Sequence, residues 1–256
     1  MNLLVSIITP AFNSGKYISE TIQSVISQTY VNWELIIVDD CSTDDSLTMA
    51  QQFAATDSRI QVFSLEKNSG TGVARNYALS KVKGKYIAFL DADDVWLPEK
   101  LTKQVAYLKQ NNVFFTFSFY DCMDEDGNNL KKTVQSPKIL SYRQLFFCNY
   151  VGNLTGIYDA DYFGKITIDK TRKRQDWILW LTILKKLKVA RPVPESLAIY
   201  RVRDNSISTS KTALLQHNYL VYRNFHRLNI VASLFCMIGF LFTQLVIKPA
   251  YIKKLH

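Results

Sequence analysis

Residues Tyr86–Pro98 read YIAFLDADDVWLP, an apolar strand followed at once by three aspartates. Asp91, Asp93 and Asp94 are so close in sequence that their charges repel one another unless a cation compensates them. One interpretation is a helix start, with Asp93 or Asp94 as the cap of a helix that begins near Pro98. The other interpretation is a metal or ligand site at the end of a strand. This stretch alone leaves both open.

Outward from this stretch, short apolar runs alternate with amphipathic segments of helix length. Strands are predicted at Leu3–Ile8, Trp33–Val38, Ile60–Leu65, Tyr86–Leu90 and Val113–Tyr120, and helices at Tyr17–Ser27, from Ser42–Asp45 to Thr56, at Gly72–Val82 and at Pro98–Gln110. Such alternation predicts an α/β fold with a doubly wound, mostly parallel sheet flanked by helices.

Polar residues follow three of these strands. Pro10–Asn13 comes after the first strand, Asp39-Asp40 after the second and Asp91–Asp94 after the fourth. Ligands of such sheets bind at the carboxyl ends of the strands, where these loops meet. Mg²⁺ and Mn²⁺ prefer oxygen ligands and often complete their shell with substrate phosphates. The pattern therefore favours a metal site that binds a diphosphate substrate.

The motifs of other nucleotide-binding folds do not match. The first turn reads TPAFNSG rather than G-x-G-x-x-G, and the later GTGVAR of Gly70–Arg75 has arginine at the third glycine position. The chain also contains no P-loop motif. Its four cysteines form no C-x-x-C pair, which fits a reducing compartment, and the N-terminus has no signal-peptide pattern. We therefore expect the catalytic part to stay in the cytoplasm.

The charge is unevenly distributed along the 256 residues, whose net charge is +9. Residues 1–127 hold 10 Lys and Arg against 16 Asp and Glu, whereas residues 128–256 hold 21 against 6. No recognised nucleic-acid-binding motif accompanies the basic half, so nucleic acid is not an expected partner. An anionic membrane surface is the favoured partner instead.

The C-terminal region contains a long apolar segment. Residues 228–247 read LNIVASLFCMIGFLFTQLVI, with 15 of 20 apolar and none charged. This length suits a bilayer span. Basic residues flank the segment on both sides, so the charge rule does not predict which end would face the cytoplasm. A helix that lies in the membrane interface fits as well, and a buried core helix is the third possibility. The flanking basic residues are Arg223, Arg227, Lys248, Lys253 and Lys254.

Several stretches resemble the family 2 inverting glycosyltransferases in order and spacing. They are VSIITPAFNSGKYISETIQSVISQTY, WELIIVDDCSTDDS, NSGTGVARNYAL and KYIAFLDADDVWLPEKL, followed by RKRQDWILWL (Arg172–Leu181) and YRVRDNSIS (Tyr200–Ser208). The resemblance implies the GT-A fold and transfer of a sugar from a nucleotide-activated donor, usually a UDP-sugar, with Mn²⁺ or Mg²⁺. The chain is most similar to enzymes that build bacterial surface polysaccharides, including teichuronic-acid-type glycosyltransferases.

The resemblance also implies a donor site. Asp40 would accept a hydrogen bond from the uracil imide, Arg75 would contact the nucleotide, and Asp93 would ligate the metal between the two phosphates. Asp91 would reach the ribose or a metal-bound water and counts as a second metal-site residue. The full set of implied donor-binding residues is Pro10, Ala11, Phe12, Asp40, Arg75, Asp91, Ala92, Arg201 and Arg203.

Transfer to an acceptor hydroxyl also requires a base. The apolar residues Trp177, Trp180, Leu181 and Leu184 have helical spacing, which places Asp176 at the N-terminal end of a buried helix, where the helix dipole favours a carboxylate. Spacing alone would equally suit a capping role. In the family the catalytic base falls on this aspartate. Many relatives have an acidic residue just before it, where this chain has Gln175.

The basic residues of the YRVRDNSIS stretch resemble the family's loop that closes over the donor. Either Arg201 or Arg203 would neutralise the departing diphosphate, and the sequence does not distinguish between them.

The resulting organisation is a GT-A domain over residues 1–209 and a helical membrane-associating region over 210–256. Within the domain, 1–110 would bind the nucleotide sugar and 111–209 a polyprenyl-diphosphate-linked or glycan acceptor, at the cytoplasmic face of the bacterial plasma membrane. A sugar-1-phosphate nucleotidyltransferase would need a Gly-rich basic signature after the first strand, which is absent. The alternative from another class is a non-catalytic scaffold that binds nucleotide sugars in a polysaccharide-assembly complex.

Overall fold

The computed structural model describes residues 3–169, 171, 173–203 and 211–254. Its strands are β1 (Val5–Ala11), β2 (Trp33–Asp39), β3 (Ile60–Ser64), β4 (Tyr86–Phe89), β5 (Val95–Trp96), β6 (Phe115–Met123), β7 (Asn129–Val134), β8 (Leu140–Ser141), β9 (Ile157–Asp159), β10 (Val189–Ala190), β11 (Pro192–Arg201) and β12 (Ile252–Lys254). Its α-helices are α1 (Ile18–Ile26), α2 (Ser46–Thr56), α3 (Thr71–Lys81), α4 (Lys100–Gln110), α5 (Tyr142–Phe147), α6 (Ala160–Phe163), α7 (Gln175–Leu187), α8 (Lys211–Leu220) and α9 (Ile230–Phe242).

The first half of the chain forms the predicted parallel sheet. Its strand order is β3-β2-β1-β4, and all three neighbouring pairs are parallel. Backbone hydrogen bonds continue past the strand ends: Asp40 N donates to Ala11 O at 2.8 Å, and Leu90 N donates to Ile8 O at 3.0 Å. The loops after β1, β2 and β4 therefore meet at one edge, as the sequence predicts.

The second half makes the sheet mixed. Strand β9 is antiparallel to both β4 and β6, and β7 is antiparallel to β6. Strand β11 runs parallel to β6 and antiparallel to β5, and β12 adds antiparallel to β7 at the edge. The predicted mostly parallel, mixed sheet flanked by helices is thus confirmed as a fold class, with the antiparallel strands confined to the half after β4.

Two apolar cores form on opposite faces of this sheet because successive side chains along each strand point to opposite faces. Ile7, Leu35 and Ile37 point to the face covered by α1, α2 and α4. Ile36 and Val38 point to the other face, which α3, α5 and α7 cover. The predicted helix around residue 180 is confirmed, and its buried members are Trp177, Trp180, Leu181 and Leu184.

The C-terminal region packs against the same molecule. Val221, Tyr222 and Phe240 belong to the core that also contains α7. Within the described part of the chain, one helical stretch, Ile230–Tyr251, has the length and apolar composition of a membrane span. The predicted boundary between residues 209 and 210, and residues 204–208 of the YRVRDNSIS stretch, lie outside the described residues.

A lysine is fully buried in the core beneath β5. The Lys100 side chain has no exposed surface, and its ammonium donates to Gln104 Oε1 at 2.5 Å and lies 4.1 Å from the centre of the Trp96 ring. Burial disfavours the charged form and lowers the pKa of Lys100 from 10.5 to about 7. The unfolded chain therefore binds more protons than the folded one between these two pH values, so stability rises with pH across this window.

We predict that Lys100→Met removes this pH dependence. The free energy of unfolding of the native chain should gain up to about 1.4 kcal/mol per pH unit from this group as the pH rises from 7 towards 10.5, because one proton is involved. Urea unfolding of both proteins over this pH range measures the difference. Lys109→Met, which removes an exposed lysine of the same helix, is the control. Parallel curves for Lys100→Met and the native chain would contradict the prediction.

Candidate active site

Asp91 lies directly after β4 and is held by two side chains from distant parts of the chain. Its Oδ1 accepts a hydrogen bond from Arg75 at 2.5 Å, and its Oδ2 accepts one from Asn153 Nδ2 at 3.1 Å. Arg75 comes from α3, the helix behind the parallel sheet, and Asn153 from the loop before β9. Both oxygens of this carboxylate thus have protein partners.

Arg75 connects the Asp91 loop to the start of α7. Its guanidinium also donates to Gln175 Oε1 at 2.8 Å, and Gln175 Nε2 donates in turn to Thr171 O at 2.7 Å. The Arg75 Nε is buried and has no hydrogen-bond partner among the described residues. Gln175 occupies the position where many relatives carry an acidic residue, and its amide oxygen supplies the acceptor that Arg75 requires.

Asp93 is a largely buried carboxylate in the same loop after β4. Arg203 contacts it, with Nε 3.2 Å from Oδ2. Burial and then the neighbouring Asp91 charge raise the pKa of Asp93 above its usual range, against the opposite effect of Arg203. The site therefore favours additional positive charge beside Asp93.

Asp94 and Arg201 have structural contacts. Asp94 is 1% exposed, its Oδ1 accepts a hydrogen bond from Arg201 N at 2.9 Å, and burial raises its pKa well above the usual range. Arg201 is 3% exposed, and its Nε donates to Asp93 O at 2.9 Å. Its other two guanidinium nitrogens contact Glu20 and the backbone oxygens of residues 124 and 125.

This geometry gives no support to Arg201 as a diphosphate ligand, because all three guanidinium nitrogens already contact protein oxygens. Arg203 retains 29% of its side-chain exposure and lies beside Asp93, so it is the better candidate of the two.

The residues predicted to hold the nucleotide lie at the same edge. Asp40 is buried, and its two oxygens accept hydrogen bonds from Ser69 N and Gly70 N, both at 2.7 Å. A carboxylate has further lone pairs, so the predicted uracil contact stays a prediction. Phe12 is exposed at the end of β1. Pro10 is buried, and the methyl groups of Ala11 and Ala92 pack in the core, so these two alanines could contact a ligand only through their backbones.

Asp176 lies in the first turn of α7, next to Gln175. Its Oδ2 accepts a hydrogen bond from Asn149 Nδ2 at 2.7 Å. The amide oxygen of Asn149 accepts a hydrogen bond from Val151 N at 3.1 Å, which fixes the orientation of the amide. Gln175, which Arg75 contacts, is the neighbour of Asp176 in the chain. The carboxylate loop is thus connected through Arg75 and Gln175 to the helix turn that contains the predicted base.

The carboxylates here suit a metal that completes its coordination with a substrate. Among the described residues, no group of three or more His, Cys, Asp or Glu could hold a metal by itself. Asp93 and Asp91 supply one or two carboxylates, which is the usual protein contribution to a Mg²⁺ or Mn²⁺ site that also uses phosphates. Burial and the Asp91 charge raise the pKa of Asp93, so a positive charge beside Asp93 would stabilise its ionised form.

A parallel half with acidic loops at its carboxyl edge, joined to an antiparallel half, is the GT-A architecture of glycosyltransferases. The chain belongs to glycosyl transferase family 2, whose family model matches residues 6–159.

Two relatives show the similarity along most of the chain. It is 41% identical over 237 residues to TuaG of Bacillus subtilis (strain 168), a glycosyltransferase assigned to teichuronic acid biosynthesis, covering 93% of this chain and 94% of that protein. It is 34% identical over 223 residues to WfgD of Escherichia coli, a UDP-Glc:alpha-D-GlcNAc-diphosphoundecaprenol beta-1,3-glucosyltransferase, covering 87% and 86%.

Solved structures show the same fold. TarS of S. aureus, residues 1–349 in complex with UDP, has a TM-score of 0.68 at 21% identity, covering 94% of this chain and 72% of that one. The mannosyltransferase PcManGT of Pyrobaculum calidifontis, in complex with GDP-Man and Mn²⁺, has a TM-score of 0.70 at 16% identity, covering 96% and 71%.

Sequence reasoning missed Asn149 and Asn153. Both lie in the loop between α5 and β9, and each donates a hydrogen bond from its side-chain amide to one of two candidate site carboxylates, Asn149 to Asp176 and Asn153 to Asp91. Neither lies in a motif of the resemblance. The recurrence of Asn at 149 and 153 in the same loop is the only signal that the sequence offers.

We predict that these two asparagines affect different kinetic constants. Asn149→Ala should lower kcat for sugar transfer on the order of tenfold or more, with the donor KM unchanged, because a hydrogen bond to a charged group is worth about 1.5–3 kcal/mol. Asn153→Ala should instead raise the donor KM. Steady-state kinetics of both variants measures this, with Asn111→Ala at the exposed end of α4 as the control. Equal effects of both variants on both constants would contradict the assignment.

Proposed function

We propose that this chain is an inverting glycosyltransferase that moves a sugar from a nucleotide diphosphate sugar to a polyprenyl-diphosphate-linked or glycan acceptor. The process would be bacterial surface polysaccharide synthesis. The observation that carries the proposal is the connected set Asp91–Arg75–Gln175 beside Asp176, which joins a carboxylate loop suited to a donor diphosphate with a carboxylate suited to act as a base.

A UDP-sugar is the favoured donor. WfgD is described as a glucosyltransferase that uses UDP-Glc, and solved TarS structures contain UDP or UDP-GlcNAc. Asp93, with Asp91, would hold Mn²⁺ or Mg²⁺, and PcManGT was solved with Mn²⁺. Such an ion, when bound, neutralises charge on the departing nucleoside diphosphate.

The side chains of this protein would divide the remaining work. Asp176 would accept the proton of the acceptor hydroxyl while the acceptor oxygen bonds to the anomeric carbon on the face opposite the departing group. The bond from that carbon to the diphosphate oxygen breaks in the same displacement, which inverts the configuration. Arg203 would contact the diphosphate, and Asn149 would hold the Asp176 carboxylate in place through its 2.7 Å hydrogen bond.

A lipid-linked acceptor would require the reaction to occur at a membrane surface, and we propose the cytoplasmic face of the plasma membrane. WfgD is described as acting on a diphosphoundecaprenol-linked acceptor. The basic second half of the chain and its apolar segment support the same location, because anionic headgroups attract Lys and Arg near the surface by about 1 kcal/mol each.

We predict that donor turnover depends on Asp93 and Asp176 in different ways. Purified full chain in mild detergent is assayed with UDP-, GDP- and dTDP-sugars, with Mn²⁺ or with EDTA, for nucleotide binding and release. Asp93→Asn should lose the Mn²⁺-dependent part of nucleotide affinity. Asp176→Asn should bind the donor normally but lower kcat about 10²–10⁴-fold, which is the usual effect of a general base.

Asp126→Asn, which changes an exposed aspartate in the β6–β7 turn, is the matched control and should behave like the native chain. If one nucleotide sugar binds but no turnover occurs and Asp176→Asn changes nothing, the scaffold alternative replaces the enzyme. If no nucleotide sugar binds in the presence of Mn²⁺, the donor site itself is wrong.

A further inference from the structure

Helix α9 has two different faces. One face packs on the domain: the Phe240 ring is 6.0 Å from the Trp177 ring, and a Cβ at Gly239 would come within 2.7 Å of the Phe147 ring. The other face is exposed to solvent. Its apolar residues, which extend into the following turn and are each 38–71% exposed, are Ile230, Val231, Leu234, Phe235, Ile238, Leu241, Phe242, Leu245 and Val246.

These exposed residues form one continuous stripe. Their spacing of three, four or one residue is the spacing of neighbours on one side of a helix. Soluble monomers rarely expose an apolar surface this long, and such a surface marks a binding site for another apolar body.

Both ends of this apolar segment are fixed to the same domain. Before it, the buried Tyr222 donates its hydroxyl to Phe146 O at 3.0 Å. After it, Lys248 donates to Asn149 O at 2.9 Å, Gln135 N donates to Tyr251 O at 2.8 Å, and β12 pairs with β7. A segment that crossed the bilayer would place β12 on the opposite side of the membrane from β7. The pairing of β12 with β7 therefore excludes a span in this fold.

The charge of the C-terminal region favours an anionic partner. Residues 211–256 contain six Lys and Arg and no Asp or Glu. On the β7–β12 pair, Lys254 lies directly opposite Lys132, although like charges at such positions destabilise a sheet. An anionic surface would offset this repulsion. A second copy of the chain would instead bring another set of cations to the same face.

We infer that the exposed face of α9 binds an anionic membrane surface, with the helix axis parallel to the membrane plane and the apolar side chains in the interfacial layer. The inference rests on the proposed function only for the lipid-linked acceptor. Because Lys248 contacts Asn149, which holds Asp176, the docked helix lies two hydrogen bonds from the proposed base. An acceptor anchored in that membrane would enter the site from the α9 side.

The first test is vesicle binding by the full chain. Flotation with vesicles of phosphatidylglycerol and phosphatidylcholine should show binding that weakens with salt and with phosphatidylcholine alone. The double variant Phe235→Ser and Leu245→Ser should bind on the order of tenfold more weakly or worse, because each substitution removes an apolar side chain from the lipid. The control, Val31→Ser with Val189→Ser, removes two exposed apolar side chains elsewhere and should bind normally.

The second test measures how deep three positions along the helix lie in the membrane. Val231→Trp, Ile238→Trp and Val246→Trp are compared by fluorescence quenching with brominated lipids, against the native chain, whose four tryptophans are buried. A helix parallel to the membrane gives equal, shallow quenching at all three positions. A spanning helix would separate the outer two by about 22 Å in depth and make Ile238 the deepest. That graded result would overturn the inference.

The outcomes separate this inference from the proposed function. Donor turnover in detergent without vesicle binding would refute membrane docking alone, and vesicle binding without donor turnover would refute the enzyme alone. A concentration-dependent dimer that the Phe235→Ser and Leu245→Ser variant abolishes, without vesicle binding, would identify a second copy as the partner and overturn the inference. Near-ultraviolet circular dichroism confirms that the outward-facing substitutions leave the fold intact.

Discussion

The structure depends on how it compensates the negative charges of three aspartates at the end of one strand. Each is held by an arginine from another element: Asp91 by Arg75 of α3, Asp93 by Arg203 after β11, and Asp94 by the backbone of Arg201 at the end of β11. Breaking such partly buried pairs leaves an uncompensated charge, which costs several kcal/mol. The contacts of Arg201 and Arg203 therefore join the parallel half of the sheet to the antiparallel half at the point where the donor would bind, and Arg75 fixes the same loop to α3.

The compensation of these charges by protein groups is incomplete at two places. The pKa of Asp93 is raised despite Arg203, and the Arg75 Nε is buried without a partner among the described residues. A cation beside Asp93 and an anion within reach of Arg75 would relieve both. A nucleoside diphosphate with a bound metal, the donor proposed above, would supply both charges together.

The parallel half and its acidic edge were predictable because both depend on local properties of the sequence. These are the spacing of apolar residues and the polar residues that follow each strand. The short strands β5, β9, β10 and β12 were not, because two or three residues form a strand only where an existing edge offers hydrogen bonds. Arg201 and Arg203 were indistinguishable in sequence, since both fall on the same side of an extended chain. Strand β11 ends at Arg201, which is why one arginine is buried and the other is not. The asparagines at 149 and 153 act through loop geometry, which has no periodic signal.

The pairing of β12 with β7 also imposes an order on biosynthesis. Strand β7 is made long before its partner, so its edge stays open to other strands until residues 252–254 have left the ribosome. The apolar segment around α9 emerges before the strand that fixes it to the sheet. A nascent chain thus presents the exposed apolar side chains of α9 while the edge of β7 is still unpaired, and both surfaces stay open together until β12 has been made.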